Sequence, residues 1–153
     1  MRGFFAVGIY HPKKEVNIGT LWRSAAILGC SFIFTIGKRY KHQSSDKMKT
    51  IRHKPLFHFK DFDDFKIHLP YDCKIVAIEI ADEAIDLKNY VHPRSACYLL
   101  GAEDYGIPNK ILKKCHDVIK LQGQYCFNVS TAGSIVIYHR VALSANTTPR
   151  HSR

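Results

Sequence analysis

The stretch that decides the fold is Ala96-Cys97-Tyr98-Leu99-Leu100-Gly101-Ala102-Glu103-Asp104-Tyr105-Gly106-Ile107-Pro108. Its first five residues form a short, largely apolar run of strand length, as expected of a parallel strand covered on both faces. Gly101 follows at once, and two glycines around an acid make a turn whose backbone amides can line a small-molecule pocket. Pro108 sits well in the first turn of a helix, here predicted to run to about Cys115. A strand that turns directly into a helix is the repeating unit of a parallel α/β sheet.

Outward from this unit the same alternation recurs. Residues 4–10, 31–36, 73–80 and 118–121 read as strands, with Ile75, Val76, Ala77 and Ile78 the most continuous apolar core. Residues 18–28 have helical spacing, with Leu21, Ala25 and Leu28 on one face and Gly29 as the stop. A final helix is predicted over 128–143. The expected fold is therefore α/β, with a mainly parallel sheet and helices on both faces. Ligands in such sheets sit beyond the carboxyl ends of the strands, so the chemistry is sought in the strand-to-helix loops.

The chain has 153 residues, of which 46% are hydrophobic, enough for one domain with a sizeable core over residues 1–145. Residues 146–153 form a polar, basic tail expected to be disordered. Lys and Arg outnumber Asp and Glu by 23 to 13, which favours an acidic partner, nucleic acid first and an anionic membrane surface second. No apolar run reaches membrane-spanning length, and the N-terminus reads as a strand rather than a signal peptide. The five cysteines are odd in number and scattered, which points to a reducing cytoplasm rather than a disulfide framework or a zinc site. The nine histidines show no metal-ligand spacing.

Residues 37–54 stand apart, with Lys38, Arg39, Lys41, Lys47, Lys49, Arg52 and Lys54 against Asp46 alone. Such a run is a solvated loop or an RNA-contacting one; Tyr40, His42 and His53 among the cations favour the second, because rings suit unpaired bases. The phosphate-loop, dinucleotide-binding, nucleophile-elbow and zinc-protease motifs are all missing from the sequence.

Two further patterns accompany the opening one. Asn17-Ile18-Gly19-Thr20-Leu21-Trp22-Arg23-Ser24-Ala25 begins the first helix, where Asn17 can act as cap. Gln122-Gly123-Gln124-Tyr125-Cys126-Phe127-Asn128-Val129-Ser130 leads from the last strand to the last helix, which Asn128 or Ser130 can open. Taken singly these are caps, turns and surface residues. Glu103 has its own ordinary explanation as an acid near a helix N-terminus.

In this order, at these junctions, the three patterns resemble the motifs of the SpoU (TrmH-like) branch of the SPOUT superfamily of RNA 2′-O-ribose methyltransferases. The resemblance runs from the opening strand to Tyr138. It implies an α/β knot, in which the C-terminal segment threads a loop as a deep trefoil, and a homodimer with a shared active site. It implies S-adenosylmethionine as cofactor, held by Leu100, Gly101, Gly106, Ile119 and Leu121 with Glu79 at the edge, and no metal. It implies Arg23 as the catalytic group, with Asn17, Glu103, Cys126 and Asn128 around it, acting as base or as stabiliser of developing charge. Lys120 stands where the family usually has proline, Cys126 where it has serine, and the third loop is one residue shorter. The resemblance is to the minimal members, expected to work without the extra RNA-binding domain of larger relatives, so the expected RNA contacts are Lys38, Arg39, Lys41, Lys49 and Arg52, with tRNA favoured over rRNA. Base methylation and a silent RNA-binding knot protein are the competing readings.

Reversing the charge of Lys38, Arg39 and Lys41 together is expected to weaken RNA binding and to reduce its salt dependence, read by filter binding across a salt series. Unchanged affinity and slope would remove the loop from the interface.

Overall fold

The computed structural model describes residues 3–41 and 49–146, with side chains to 144. Lys47, His42, Asp46 and the basic tail beyond 146 lie outside the described residues. The elements are β1 (Phe5–Tyr10), α1 (Glu15–Ile27), β2 (Phe32–Ile36), β3 (Leu56–Phe59), α2 (Phe62–Ile67), β4 (Lys74–Ile78), β5 (Ile85–Asp86), β6 (Ala96–Leu100), α3 (Asn109–Leu112), β7 (Asp117–Lys120) and α4 (Val129–Asn146). The strands form one sheet in the order β3-β2-β1-β6-β4-β7-β5, and each pairing is parallel.

Successive residues of a strand face opposite sides, and the sheet carries a separate core on each. Val7, Ile9, Val76, Ile78, Tyr98 and Leu100 point to the side covered by α1 and α4. Ala6, Phe34, Ile36, Ile75, Ala77, Cys97 and Leu99 point to the side covered by α2 and α3. The expected fold class and its helices on both faces are thus present. The five predicted strands match within two residues at either end, whereas β3, β5 and α2 were not foreseen. α2 rests on Asp61, whose carboxylate accepts from the Asp64 N–H at 2.8 Å, and on Phe62 and Phe65, which bury one helical turn apart.

The predicted cap of α1 is corrected. The helix begins three residues before Ile18, with Lys14 at the cap position and no side-chain cap bond, so Asn17 lies within the first turn with its side chain free for other work. α3 is a single turn rather than a helix to Cys115, and Pro108 stands just before it. α1 and α4 pack closely at Gly133, where a β-carbon would lie 2.5 Å from Leu21 Cδ1 and 2.8 Å from Leu100 Cδ1.

On the same face lies a buried polar chain. The Arg140 guanidinium, 4% exposed, donates to the carbonyls of Pro93 at 2.7 Å and Arg94 at 2.8 Å and to the Tyr98 hydroxyl at 3.2 Å. That hydroxyl therefore gives its proton to His92 Nδ1 at 2.6 Å, and His92 Nε2 donates to His139 Nδ1 at 2.8 Å. The imidazole of His92 is held neutral: burial, then His139 and Arg140, push its pKa down to about 4. Burial does the same, in direction, at His116 and His58. A depressed pKa means that the unfolded chain binds protons that the folded one refuses, so stability is full above the ordinary histidine pKa of about 6.5 and falls on acidification. The unfolding free energy is expected to decline from about pH 6.5 to about pH 4, measured by denaturant titration. In His92→Gln, less stable at pH 7, the decline becomes shallower; an equal slope would mean that His92 protonates without cost.

Candidate active site

The loops after β1, β4, β6 and β7 gather beyond the carboxyl edge of the sheet and enclose a cavity of about 650 Å³. Leu100 closes its floor at the end of β6, and the 101–107 segment folds back on itself over it. Within that segment Ala102 and Gly106 form an antiparallel bridge, with Gly106 N–H donating to the Ala102 carbonyl at 2.9 Å. Both glycines are needed for the fold-back. A β-carbon on Gly101 would lie 2.3 Å from the backbone of Gly106, and Gly106 has a φ of +61° that places any side chain 2.3 Å from Glu79 Oε2.

Glu79 splints two loops. Its Oε2 accepts from the Ile107 N–H at 2.9 Å and its Oε1 from the Ile80 N–H at 2.9 Å, tying the end of β4 to the turn after β6. Its position at the cavity edge is the expected one.

The three sequence patterns meet in one chain of side-chain amides. A carboxylate only accepts, so Asn17 offers its Nδ2 to Glu103 Oε1 at 3.1 Å. Its Oδ1 is then left to accept from Asn128 Nδ2 at 3.1 Å. Asn128 Oδ1 in turn accepts from the Ser130 N–H at 2.9 Å and the Ser130 hydroxyl at 2.8 Å, capping α4 as expected. Glu103 is not at a helix N-terminus, since α3 starts only at Asn109. Its other oxygen, Oε2, is buried and has no hydrogen-bond partner among the described residues.

Of the expected residues, Asn17, Glu79, Leu100, Gly101, Glu103, Gly106, Leu121, Cys126 and Asn128 line this cavity. Ile119 does not. It is fully buried behind the wall, and its carbonyl is taken by the Glu79 N–H at 3.0 Å. Arg23 is exposed on α1 and does not line the cavity of its own chain. Lys38, Arg39, Lys41, Lys49 and Arg52 are all exposed. Lys13, which the sequence reading passed over, is paired with the Asp104 carboxylate at the cavity's rim; that bond lowers the pKa of Asp104 and raises that of Lys13. Among the described residues no group of three or more His, Cys, Asp or Glu could hold a metal ion. None of the described helices is long and apolar enough to cross a membrane.

Residues 5–138 match the protein family described as the SpoU rRNA Methylase family. Three solved structures share the fold. An AdoMet-bound rRNA methyltransferase from Sinorhizobium meliloti aligns with a TM-score of 0.79 at 18% identity, over 91% of this chain and 56% of that one. A TrmH/SpoU tRNA modifying enzyme from A. aeolicus aligns with a TM-score of 0.84 at 16% identity, over 95% and 77%. A third structure, described as giving insights into the 2-OH methylation of C/U34 on tRNA, aligns with a TM-score of 0.80 at 20% identity, over 94% and 98%. The chain thus spans little more than half of the first and nearly all of the third. No curated protein matches it.

Asn17→Asp, which keeps the shape of Asn17, sets a second acceptor against Glu103. The unfolding free energy is expected to fall by about 1 kcal/mol, the cost of setting two half-buried acceptors against each other. Denaturant titration at pH 7 measures it, and wild-type stability would show that the chain of amides contributes nothing.

Proposed function

The chain belongs to the SpoU rRNA methylase family, and we propose that it transfers a methyl group from S-adenosylmethionine to a ribose 2′-hydroxyl of RNA, with tRNA as the substrate class. The observation that carries this is the convergence of Asn17, Glu103 and Asn128 on one cavity, from three segments that the sequence separates by up to 111 positions.

The residues present fit the cofactor. A cavity of about 650 Å³ suits a ligand of that size, small-molecule sites being roughly 300–1,000 Å³. Glu103 Oε2 is an acceptor still waiting for a donor, and the fold-back at Gly101 and Gly106 brings backbone to the wall where side chains would fill the space. Leu100, Gly101, Gly106 and Leu121 would hold the cofactor, with Glu79 keeping their loops in register. When bound, S-adenosylmethionine supplies an electrophilic methyl group on a sulfonium.

The remaining work falls to the protein. Asn17 and Asn128 hold the Glu103 carboxylate in one orientation, so the polar side of the cavity is set before RNA arrives. Cys126 lines the cavity with an exposed thiol, a weaker hydrogen-bonding group than a hydroxyl, and serves as wall rather than as acceptor. Arg23 is exposed and does not line the cavity that its own Asn17 lines, which supports its acting in the cavity of a second copy. Ile135 and Tyr138 on α4 and Ile27 on α1 are exposed apolar side chains on the packed helix pair, and they support a homodimer built on this face. The C-terminal segment forms the trefoil knot that the family implies. Five free thiols support a cytoplasmic setting.

Labelled S-adenosylmethionine and total RNA from cells lacking the gene provide the test. Label in alkali-resistant dinucleotides of the tRNA fraction is expected; label in mononucleotides would make the enzyme a base methyltransferase, and no label with cofactor bound would make it a silent binder. Arg23→Ala is expected to abolish transfer while sparing cofactor affinity, and near-normal turnover would overturn its role.

A further inference from the structure

A second cavity of about 410 Å³ opens beside the first, and none of the steps assigned to the chain uses it. The two share Ala102, Tyr105 and Gly106, so the fold-back after β6 is their common wall. The opposite wall comes from the carboxyl ends of β1 and β2, through Tyr10, His11 and Lys38.

The backbone goes out of its way to place His11 there. Its φ is +49°, a left-handed conformation that few residues with a side chain adopt. Its N–H donates to the Ile36 carbonyl at 2.8 Å, and its ring lies 4.3 Å from that of Tyr10. Across from it, Gly37 has a φ of +87°, and a β-carbon there would sit 2.6 Å from the imidazole. A left-handed residue on one strand end and a glycine on the next together fix one ring at the cavity wall, an arrangement of the kind that gathers at ligand sites. Tyr105, 87% exposed, stands at the rim with its face uncovered.

Cations surround these rings. Lys13 and Lys38 line the cavity, and Arg39 and Lys41 continue outward as exposed charges. The Asp104 carboxylate holds Lys13 against the common wall. Rings inside and ammonium groups at the mouth are the composition that takes an unpaired nucleotide, with π-faces for the base and charge for the phosphate. A membrane surface or an acidic peptide would need the cations but not an open pocket walled by rings. We propose that this second cavity receives the base of the acceptor nucleotide, so that its ribose lies across the 102–106 wall and presents the 2′-hydroxyl to the first cavity. The proposal rests on the reading of the chain as an RNA ribose methyltransferase.

Three variants of the full chain test it, assayed for methyl transfer to total tRNA. His11→Asn removes the imidazole while keeping a residue that tolerates a left-handed backbone. Tyr105→Ala removes an exposed ring, and Tyr105→Phe keeps the ring. The KM for RNA is expected to rise about tenfold in His11→Asn and Tyr105→Ala, the loss of one stacked ring, and to stay near wild type in Tyr105→Phe. Calorimetry is expected to give wild-type affinity of His11→Asn for S-adenosylmethionine. Wild-type KM in both His11→Asn and Tyr105→Ala would overturn the proposal and leave the methyltransferase reading standing. A wild-type chain that binds cofactor and methylates no RNA would instead remove the reading beneath it.

Discussion

An ionised carboxylate can accept hydrogen bonds but never donate one, and the arrangement of the active-site loops follows from that asymmetry. Glu103 dictates which end of the Asn17 amide it meets; Asn17 then dictates the orientation of Asn128; Asn128 is left with only an acceptor to turn toward α4, where free N–H groups await one. The direction of the chain propagates from an acid on one loop to a helix cap on another. Each member depends on the one before it, so the loops after β1, β6 and β7 are oriented as a set. Glu79 supplies the same discipline to the fourth loop by accepting from two backbone amides at once.

The sheet makes this possible by delivering all its carboxyl ends to one edge. Parallel pairing requires crossovers, and the crossovers put helices on both faces, leaving the loops as the only unpacked backbone. The strand order places β6 beside β1 and β4, next to both β2 and β7 at one remove, so the acid-bearing turn stands at the centre of the edge with a cavity on each side. Chemistry and recognition then share one wall rather than one pocket.

Much of this was legible in the sequence because the buried strands advertise themselves. Runs such as Ala96–Leu100 and Lys74–Ile78 are apolar on both faces, and no solvent-facing alternation blurs them. The edge of the sheet was not legible. β3 is four residues interrupted by His58, partly exposed, and it follows a basic stretch that draws the eye to charge; β5 is two residues. α2 spans under two turns, too short for periodicity, although Asp61 with Asp64 three residues on was a visible capping signal. The site residues are those that the resemblance implies, and most of them line one cavity, but the motifs could not say that Asn17 spends its side chain across the cavity instead of on its own helix, that Ile119 stands behind the wall, or that Arg23 lies outside it. The second cavity gave almost no signal, since His11 reveals itself only through a backbone angle. Arg140 and its partners escaped for a similar reason, being scattered from Phe4 to His139.

That scattering bears on how the protein is made. Strand β1, Phe5–Tyr10, lies inside the sheet, yet Phe5 pairs with Ala96, which is synthesised long after it. The Phe4 carbonyl waits longer still, for a guanidinium at position 140 that also takes the carbonyls of Pro93 and Arg94. An N-terminal half released alone would present an apolar strand with an open edge and nothing to close it. The sheet therefore stays open until its later strands and the helix bearing Arg140 have been made, and in the interval the nascent chain is a natural client for chaperones that shield unpaired strands.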